Sequence, residues 1–140
     1  MDWSRLETFS GFANLHRDLI HLRRNWFGVT SGLQGHTTQI LRCDNEKKVI
    51  AYHRFDKGGP NDSVVVLINM SHEAVFDYKI GMPLEGYWHV ILNSDNPQYD
   101  PEFGGKGMED VTTMDGEMDE CSVHLPWLIP AYSVMIYSQE

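Results

Sequence analysis

The chain is poor in positive charge and in long apolar runs. Its 140 residues carry 11 Lys and Arg against 20 Asp and Glu, a formal net charge of −9. Because such a surface repels phosphate backbones and anionic headgroups, neither nucleic acid nor a membrane is an expected partner. No run of about 18 apolar residues occurs, and the first ten residues lack the pattern of a signal peptide. The expected location is therefore the cytoplasm.

Cysteine is also scarce, which bears on disulfides and on metal or redox pairs. The only two cysteines are Cys43 and Cys121, and neither has a second cysteine close by in the sequence. Each lies in a strand-like segment, so we expect buried free thiols. A disulfide between the two remains open at this point.

Sequence motifs for catalysis or metal binding are missing too. No GxSxG, P-loop or Cys–His arrangement occurs, and the seven histidines are scattered singly without a helical i,i+4 zinc pair. The acidic stretch TMDGEMDE lacks the spacing and terminal Glu of an EF-hand loop, so a solvated hairpin is expected in place of a calcium site. The carboxylates show no sign of a shaped cleft for glycoside chemistry. We expect no cofactor, no metal and no catalytic residue.

One amphipathic helix is predicted near the start, in the stretch FANLHRDLIHLRRNW. At 100° per residue its large apolar side chains form one stripe. The stripe consists of Phe12, Leu15, Leu19, Leu22 and Trp26, widened by Ile20 and Phe27. Thr8 or Ser10 is a suitable N-cap, and Asn25 and Gly28 are suitable stop signals.

The rest of the chain has the sequence pattern of short β-strands separated by turn residues. The predicted strands cover residues 37–43, 48–55, 63–70, 74–80, 86–93, 120–125 and 131–138, and a long polar loop covers 94–107. With no helices available for parallel crossovers, this pattern favours an all-β fold, an antiparallel Greek-key β-sandwich of seven to eight strands preceded by one α-helix.

The predicted helix has no obvious partner within such a fold. A sandwich closes its own core between its two sheets, so a wide apolar helix stripe is not needed for that core. We expect the stripe to pack on the edge of the sandwich or on a second copy of the chain, which makes a homodimer through this face one outcome.

Aromatic side chains are the candidates for carbohydrate binding. Exposed rings stack on the apolar faces of sugars, and Tyr99, Phe103 and Trp127 are the residues selected for this role. The alternative, that they fill core or interface space, also agrees with their chemistry.

Several segments in a fixed order resemble a known family. They are DWS, GFANLHRDLIHLRR, KVIAYHRF, VVVLINM, YKIGMPLEGYWHVILNSD, a following FGG and LIPAYSVMIYSQ. The most specific are Y-x-I-G-x-P-x-x-G at Tyr78 to Gly86, LNSD at Leu92 to Asp95, and Pro-x-x-Ser at Pro130 to Ser133. This order resembles the C-terminal end of α-amylase-superfamily enzymes, most of all 1,4-α-glucan branching enzymes.

The resemblance implies a division of the chain. Residues 1–27 would be a remnant of the last helix of a catalytic (β/α)₈ barrel, 28–36 a linker, and 37–140 the C-terminal β-sandwich. The family's catalytic carboxylates lie on barrel strands that would precede Met1, so none is assigned here.

The resemblance also implies a function. The chain would be a non-catalytic domain of an α-glucan-active enzyme that stabilises the barrel, its main partner, and contacts α-glucan. The parent would form 1,6 branches by glycosyl transfer. An α-amylase parent, which is a glycoside hydrolase, and a free-standing carbohydrate-binding module are the alternatives.

Overall fold

The computed structural model describes residues 4–139, and its order of elements agrees with the expected class. A short helix α1 (Arg5–Thr8) leads into α2 (Ser10–Arg23), and a 3-10 turn covers Ser31–Leu33. The strands are β1 (Thr37–Asp44), β2 (Val49–Phe55), β3 (Val64–Asn69), β4 (Val75–Met82), β5 (Tyr87–Asn93), β6 (Val111–Thr112), β7 (Met114–Met118), β8 (Cys121–Ile129) and β9 (Ser133–Gln139). The prediction of an all-β domain with a leading helix is confirmed.

The strands form two antiparallel sheets. The larger has the order β1-β2-β3-β9-β5-β6 and the smaller the order β4-β8-β7. The run of Val and Ile in β3 predicted a central strand, and β3 lies between β2 and β9 with its first four residues buried. β9 lies between β3 and β5, so this strand joins the two halves of the large sheet.

The main core lies between the two sheets. Strand alternation sends every second side chain inward, and in β2 the buried positions are Val49, Ala51 and His53. The smaller sheet contributes Ile80, Val123, Leu125, Trp127 and Ile129 to the same cluster. The Trp127 and Tyr137 rings meet there edge to face, with their centroids 4.6 Å apart.

Strand β8 runs through a proline, which the sequence pattern treated as a break. The predicted strand ended at residue 125, but β8 continues through Pro126 to Ile129. The last partner that β7 supplies is at His124, so from Pro126 onward β8 is paired with β4 alone. A proline without an N–H donor is tolerated where one side of a strand is unpaired.

The two sheets are joined at one edge by a charged pair. An Arg42 Nη2 lies 2.7 Å from an oxygen of the Asp119 carboxylate, and the Gly81 N–H donates to the same carboxylate at 2.9 Å. β1 belongs to the large sheet and Gly81 to the small one, so this contact connects the sheets.

The two cysteines are free, and their burial differs from the expectation. Cys43 is exposed and Cys121 is half-buried, so the prediction of two buried thiols is wrong for Cys43. The pairing of β1 with β2 shifts its register between Ile40 and Arg42, so Leu41 is an extra residue at this irregularity and packs in the core. Arg42 reaches the smaller sheet through Asp119, and Cys43, as the next residue of the strand, points to the opposite face.

Candidate packing interface

Helix α2 lies on the outer face of the larger sheet, where a second apolar cluster forms. Leu22 is 5% exposed and packs with Leu33 and with side chains of three strands, namely Val64, Val66, Leu92 and Ile136. Leu15, two turns earlier, packs against the same cluster. One edge of the predicted stripe is therefore covered by the chain's own sheet.

The C-terminal end of the helix is attached through Thr30. The Thr30 hydroxyl donates to the Leu22 carbonyl at 2.8 Å, and the Thr30 N–H donates to the Asn25 side-chain oxygen at 2.8 Å. Asn25 has φ 51°, a left-handed conformation that asparagine adopts more readily than most residues. The chain thus turns back toward the sheet directly after the helix.

The helix is also attached to the long loop, at Gly11 near its start and at Asp18. The Tyr99 hydroxyl donates to the Asp18 carboxylate at 2.7 Å. Burial and this hydrogen bond both raise the pKa of Tyr99, so its hydroxyl stays protonated and remains a donor. A Cβ added at Gly11 would lie 1.6 Å from the Tyr99 carbonyl oxygen, so only glycine permits this close approach.

The opposite edge of the helix stripe is uncovered. Phe12 is 66% exposed, Ile20 55% and Leu19 36%. Trp26 and Phe27, just past the helix, are 63% and 65% exposed. Leu6 and Phe9 extend the patch toward the chain start. We call these residues (Leu6, Phe9, Phe12, Leu19, Ile20, Trp26 and Phe27) the outer helix face.

Aromatic and basic groups lie beside this face. The Phe12 and His16 rings have centroids 4.1 Å apart, and the His21 and Trp26 rings stack at 5.3 Å. The Arg24 guanidinium carbon lies 5.8 Å from the Trp26 ring centroid. Exposed apolar patches rimmed by polar groups are typical of protein contact surfaces.

The helix packs at a place that we did not predict. We predicted packing on the sandwich edge or on a second copy. The helix instead lies on the outer face of the larger sheet and uses only Leu15 and Leu22 of the stripe for it. Helical periodicity shows which residues share one side of a helix. It does not show which part of a wide stripe contacts the chain's own sheet and which part stays exposed.

The three residues selected for sugar stacking lie in different environments. Trp127 is 2% exposed and belongs to the inter-sheet core, so both faces of its ring are covered and the stacking role is wrong for this conformation. Tyr99 is buried on the outer side of the large sheet, where its hydroxyl binds Asp18. Phe103 is partly exposed in the loop. The structure does not bring them together.

The Asp18–Tyr99 contact was not predicted. The two residues are 81 positions apart, and neither belongs to a motif. Gly11 could have been a signal, since glycine inside a helix has low helix propensity and is often kept for close packing.

Within residues 4–139, no group of three or more His, Cys, Asp or Glu side chains is arranged to hold a metal ion. Over the same residues, no helix has the length and apolar character needed to cross a bilayer.

Fold and site together define an all-β sandwich domain with a helix on the outer face of its larger sheet. The family model for the α-amylase C-terminal all-β domain matches residues 40–140. The chain belongs to this family.

The curated relatives that the chain matches are longer proteins. The chain is 32% identical over 111 residues to the 1,4-α-glucan branching enzyme GlgB of Methylobacillus flagellatus, covering 76% of this chain and 15% of that protein. It is 30% identical over 145 residues to GlgB of Prochlorococcus marinus, covering 100% of this chain and 19% of that protein. It is 32% identical over 103 residues to GlgB of Aquifex aeolicus, covering 71% of this chain and 16% of that protein. The chain therefore spans less than a fifth of the length of these relatives.

Proposed function

We propose that this chain is the non-catalytic C-terminal region of a 1,4-α-glucan branching enzyme. In this proposal residues 1–27 include the last helix of a catalytic (β/α)₈ barrel, 28–36 connect it, and 37–140 form the sandwich. The outer helix face packs against the barrel and fixes the position of the sandwich. The parent enzyme transfers an α-glucan chain to a 6-hydroxyl, and the residues of this chain do not take part in that chemistry.

The observation that carries the proposal is the division of the helix stripe. Leu15 and Leu22 attach the helix to the sandwich, while the outer helix face leaves several large side chains in water. Burying one such side chain is worth about 1.5–3 kcal/mol. A helix with apolar residues toward two sides is suited to lie between two layers.

The extent of the sequence matches supports the same division. The family model begins at residue 40, after the helix, whereas the similarity to the Prochlorococcus enzyme covers the whole chain. The helix is thus shared with complete branching enzymes but lies outside the part that defines the all-β domain.

A cytoplasmic location belongs to the proposal. Its support is that Cys43 and Cys121 are both free, as is usual in a reducing compartment.

The first experiment determines the genomic reading frame upstream of Met1 and assays the full product on amylose. The proposal expects an encoded barrel and a product with 1,6 linkages. Hydrolysis without branch formation would favour the amylase alternative. A reading frame that starts at Met1, with a saturable glucan affinity of the chain alone, would favour the carbohydrate-binding module.

A second experiment tests the packing role in the full-length protein. We expect Phe12→Asp combined with Ile20→Asp to lower its melting temperature and its branching activity, because two charges would then be buried at the barrel contact. Phe76→Asp is the matched control, since Phe76 is 63% exposed on β4, away from the helix. Equal effects of both changes would contradict the packing role.

The same double variant distinguishes packing against a barrel from dimerisation through the outer helix face. If the isolated chain self-associates and the variant is monomeric, while the full-length protein is unaffected by the change, the face binds a second copy and not a barrel. Sedimentation equilibrium measures the oligomeric state directly.

A further inference from the structure

A small cavity lies where helix α2, strand β5 and the long loop meet. Its volume is about 150 Å³, and it is partly open to solvent. The helix contributes Asp18 and Leu22 and the loop contributes Asn96, Gln98 and Tyr99. The cavity is separate from the core between the sheets, because it lies on the outer side of the large sheet.

The polar groups of this cavity offer both donors and acceptors. The Asp18 Oδ2 accepts a hydrogen bond from the Tyr99 hydroxyl at 2.7 Å. The Asn96 side-chain oxygen accepts the Gln98 N–H at 2.9 Å, which holds the loop turn in place. The amide groups of Asn96 and Gln98 supply N–H donors as well as oxygen acceptors.

The remaining wall is mostly apolar, and its polar side chain, Asn93, is hydrogen-bonded to the Lys106 carbonyl and the Asp95 N–H. Leu22 and Leu92 are buried beneath the cavity, and Phe27 stands at its border with 65% of its surface exposed. A ligand in this cavity would therefore meet hydrogen-bonding groups on the loop side and a flat or aliphatic surface on the other.

The size restricts the ligand. A protein cavity of about 150 Å³ holds one six-membered ring such as benzene. Benzene-binding cavities are lined by apolar side chains alone, whereas this one is lined also by the Asp18 carboxylate and by the amides of Asn93, Asn96 and Gln98. The occupant should be a single ring with apolar faces and several hydroxyl groups.

We propose that this cavity binds one hexopyranose unit at the end of a sugar chain. The ring face would lie on Leu22, Leu92 and Phe27, and the hydroxyls would donate to Asp18 and exchange hydrogen bonds with Asn96 and Gln98. That the unit is a glucosyl residue of an α-glucan rests on the proposed function. The cavity shares only Phe27 with the outer helix face, so variants at Asp18 and Gln98 test the cavity separately from that face.

A basic side chain of a partner protein is the competing occupant. Its aliphatic stem would also lie on the apolar wall, and its cationic end would bind Asp18. Lys and Arg have only donors, however, and need only acceptors. Hydroxyl groups use both, which matches the amides of Asn96 and Gln98.

The test is a titration of the 140-residue chain with maltose, followed by amide chemical shifts. For about 12 non-hydrogen atoms in one bound ring, the lower end of the ligand-efficiency range, about −0.3 kcal/mol per atom, corresponds to a Kd on the order of 1 mM. We expect saturable shifts at Asp18, Leu92, Asn96 and Tyr99. Asp18→Ala and Gln98→Ala should each weaken binding, the first by at least about tenfold because it removes a charged acceptor.

Asp115→Ala is the matched control, since Asp115 is exposed in β7 and does not line the cavity. Its affinity for maltose should equal that of the unchanged chain, and melting temperatures should show that the variants are folded. Maltose shifts that do not saturate, or that miss the cavity, would overturn the proposal. Shifts at the cavity with ethylguanidinium but not with maltose would overturn it in favour of a basic side chain.

Failure here leaves the proposed function independently testable. A chain that does not bind maltose can still belong to a protein that forms branches, which the assay on amylose measures. A chain that binds maltose without a barrel upstream would contradict only the proposed function.

Discussion

The two apolar clusters of this domain differ in how completely the chain closes them. Between the sheets, Val49, Ala51, Leu67 and Ile80 have no exposed surface at all. On the outer face of the large sheet, Leu22 is the only buried residue of α2, and Phe12 and Ile20 lie in water. Large apolar side chains are present in both places, so their presence alone does not tell whether a face finds its partner within the same chain.

The largest expected effect is the loss of a core tryptophan. Trp127→Ala should lower the free energy of unfolding by about 3–5 kcal/mol, because it leaves a cavity between the sheets. Trp26→Ala is the matched change in the helix region, where the side chain is 63% exposed, and should cost less than about 0.5 kcal/mol. Urea unfolding of both variants measures the difference. Equal losses would show that the helix layer is closed as fully as the core.

The next effect is a dependence on pH that arises in the core. Neither ring nitrogen of His53 has a hydrogen-bond partner among the described residues, and burial lowers the pKa of His53 to about 4 from 6.5, against the opposing charge of Asp62. The unfolded chain therefore binds this proton more readily than the folded one. Stability should fall as the pH drops from about 6.5 to about 4, by about 3 kcal/mol in total.

The histidine variant isolates this contribution. His53→Leu should lack this part of the pH dependence, as judged by denaturant midpoints measured across the same window. If the variant and the unchanged chain lose stability in parallel, His53 is not the group responsible, and carboxylates are the next candidates.

A smaller effect is expected where the helix meets the loop. Gly11→Ala raises intrinsic helix propensity by about 1 kcal/mol, but its Cβ would collide with the Tyr99 carbonyl oxygen. We expect net destabilisation of about 1–3 kcal/mol together with weaker hydrogen-exchange protection in α2. A more stable variant would show that the helix is not held against the loop.

The smallest effect is expected on the outer helix face. Ile20→Asn should change the free energy of unfolding of the isolated chain by less than about 0.5 kcal/mol, because Ile20 is already 55% exposed. Leu22→Asn is the comparison at a buried position and should cost several times more. Circular dichroism melts of the two variants are sufficient. A large loss from Ile20→Asn would indicate that the isolated chain covers this face by self-association.

Much of the sheet structure was predictable, because strand signals are local. Alternation and β-branched runs located seven of the strands, and β3 was correctly identified as central. The two additional strands, β6 and β7, are short or highly charged, so they lack the apolar alternation on which a prediction depends. The acidic stretch was expected to form a hairpin, and β7 does pair with β8 across Asp119 and Glu120.

Long-range contacts account for the rest. Pro126 is tolerated because of which strands pair with β8, and that pairing is not visible in the local sequence. Trp127 was selected for stacking because it is aromatic. Only the assembled sheets show that its side chain points into the core. Asp18 and Tyr99 meet because the loop folds back over the helix, and no spacing rule connects residues so far apart.

The position of β9 has a consequence during synthesis. β3 and β5 each need it as a neighbour, yet the ribosome makes it after both of them. Until β9 emerges, the nascent chain carries two strands with unpaired edges, where another chain can add by hydrogen bonding. Folding of the large sheet must therefore wait for β9, and chaperone protection would be most valuable in that interval.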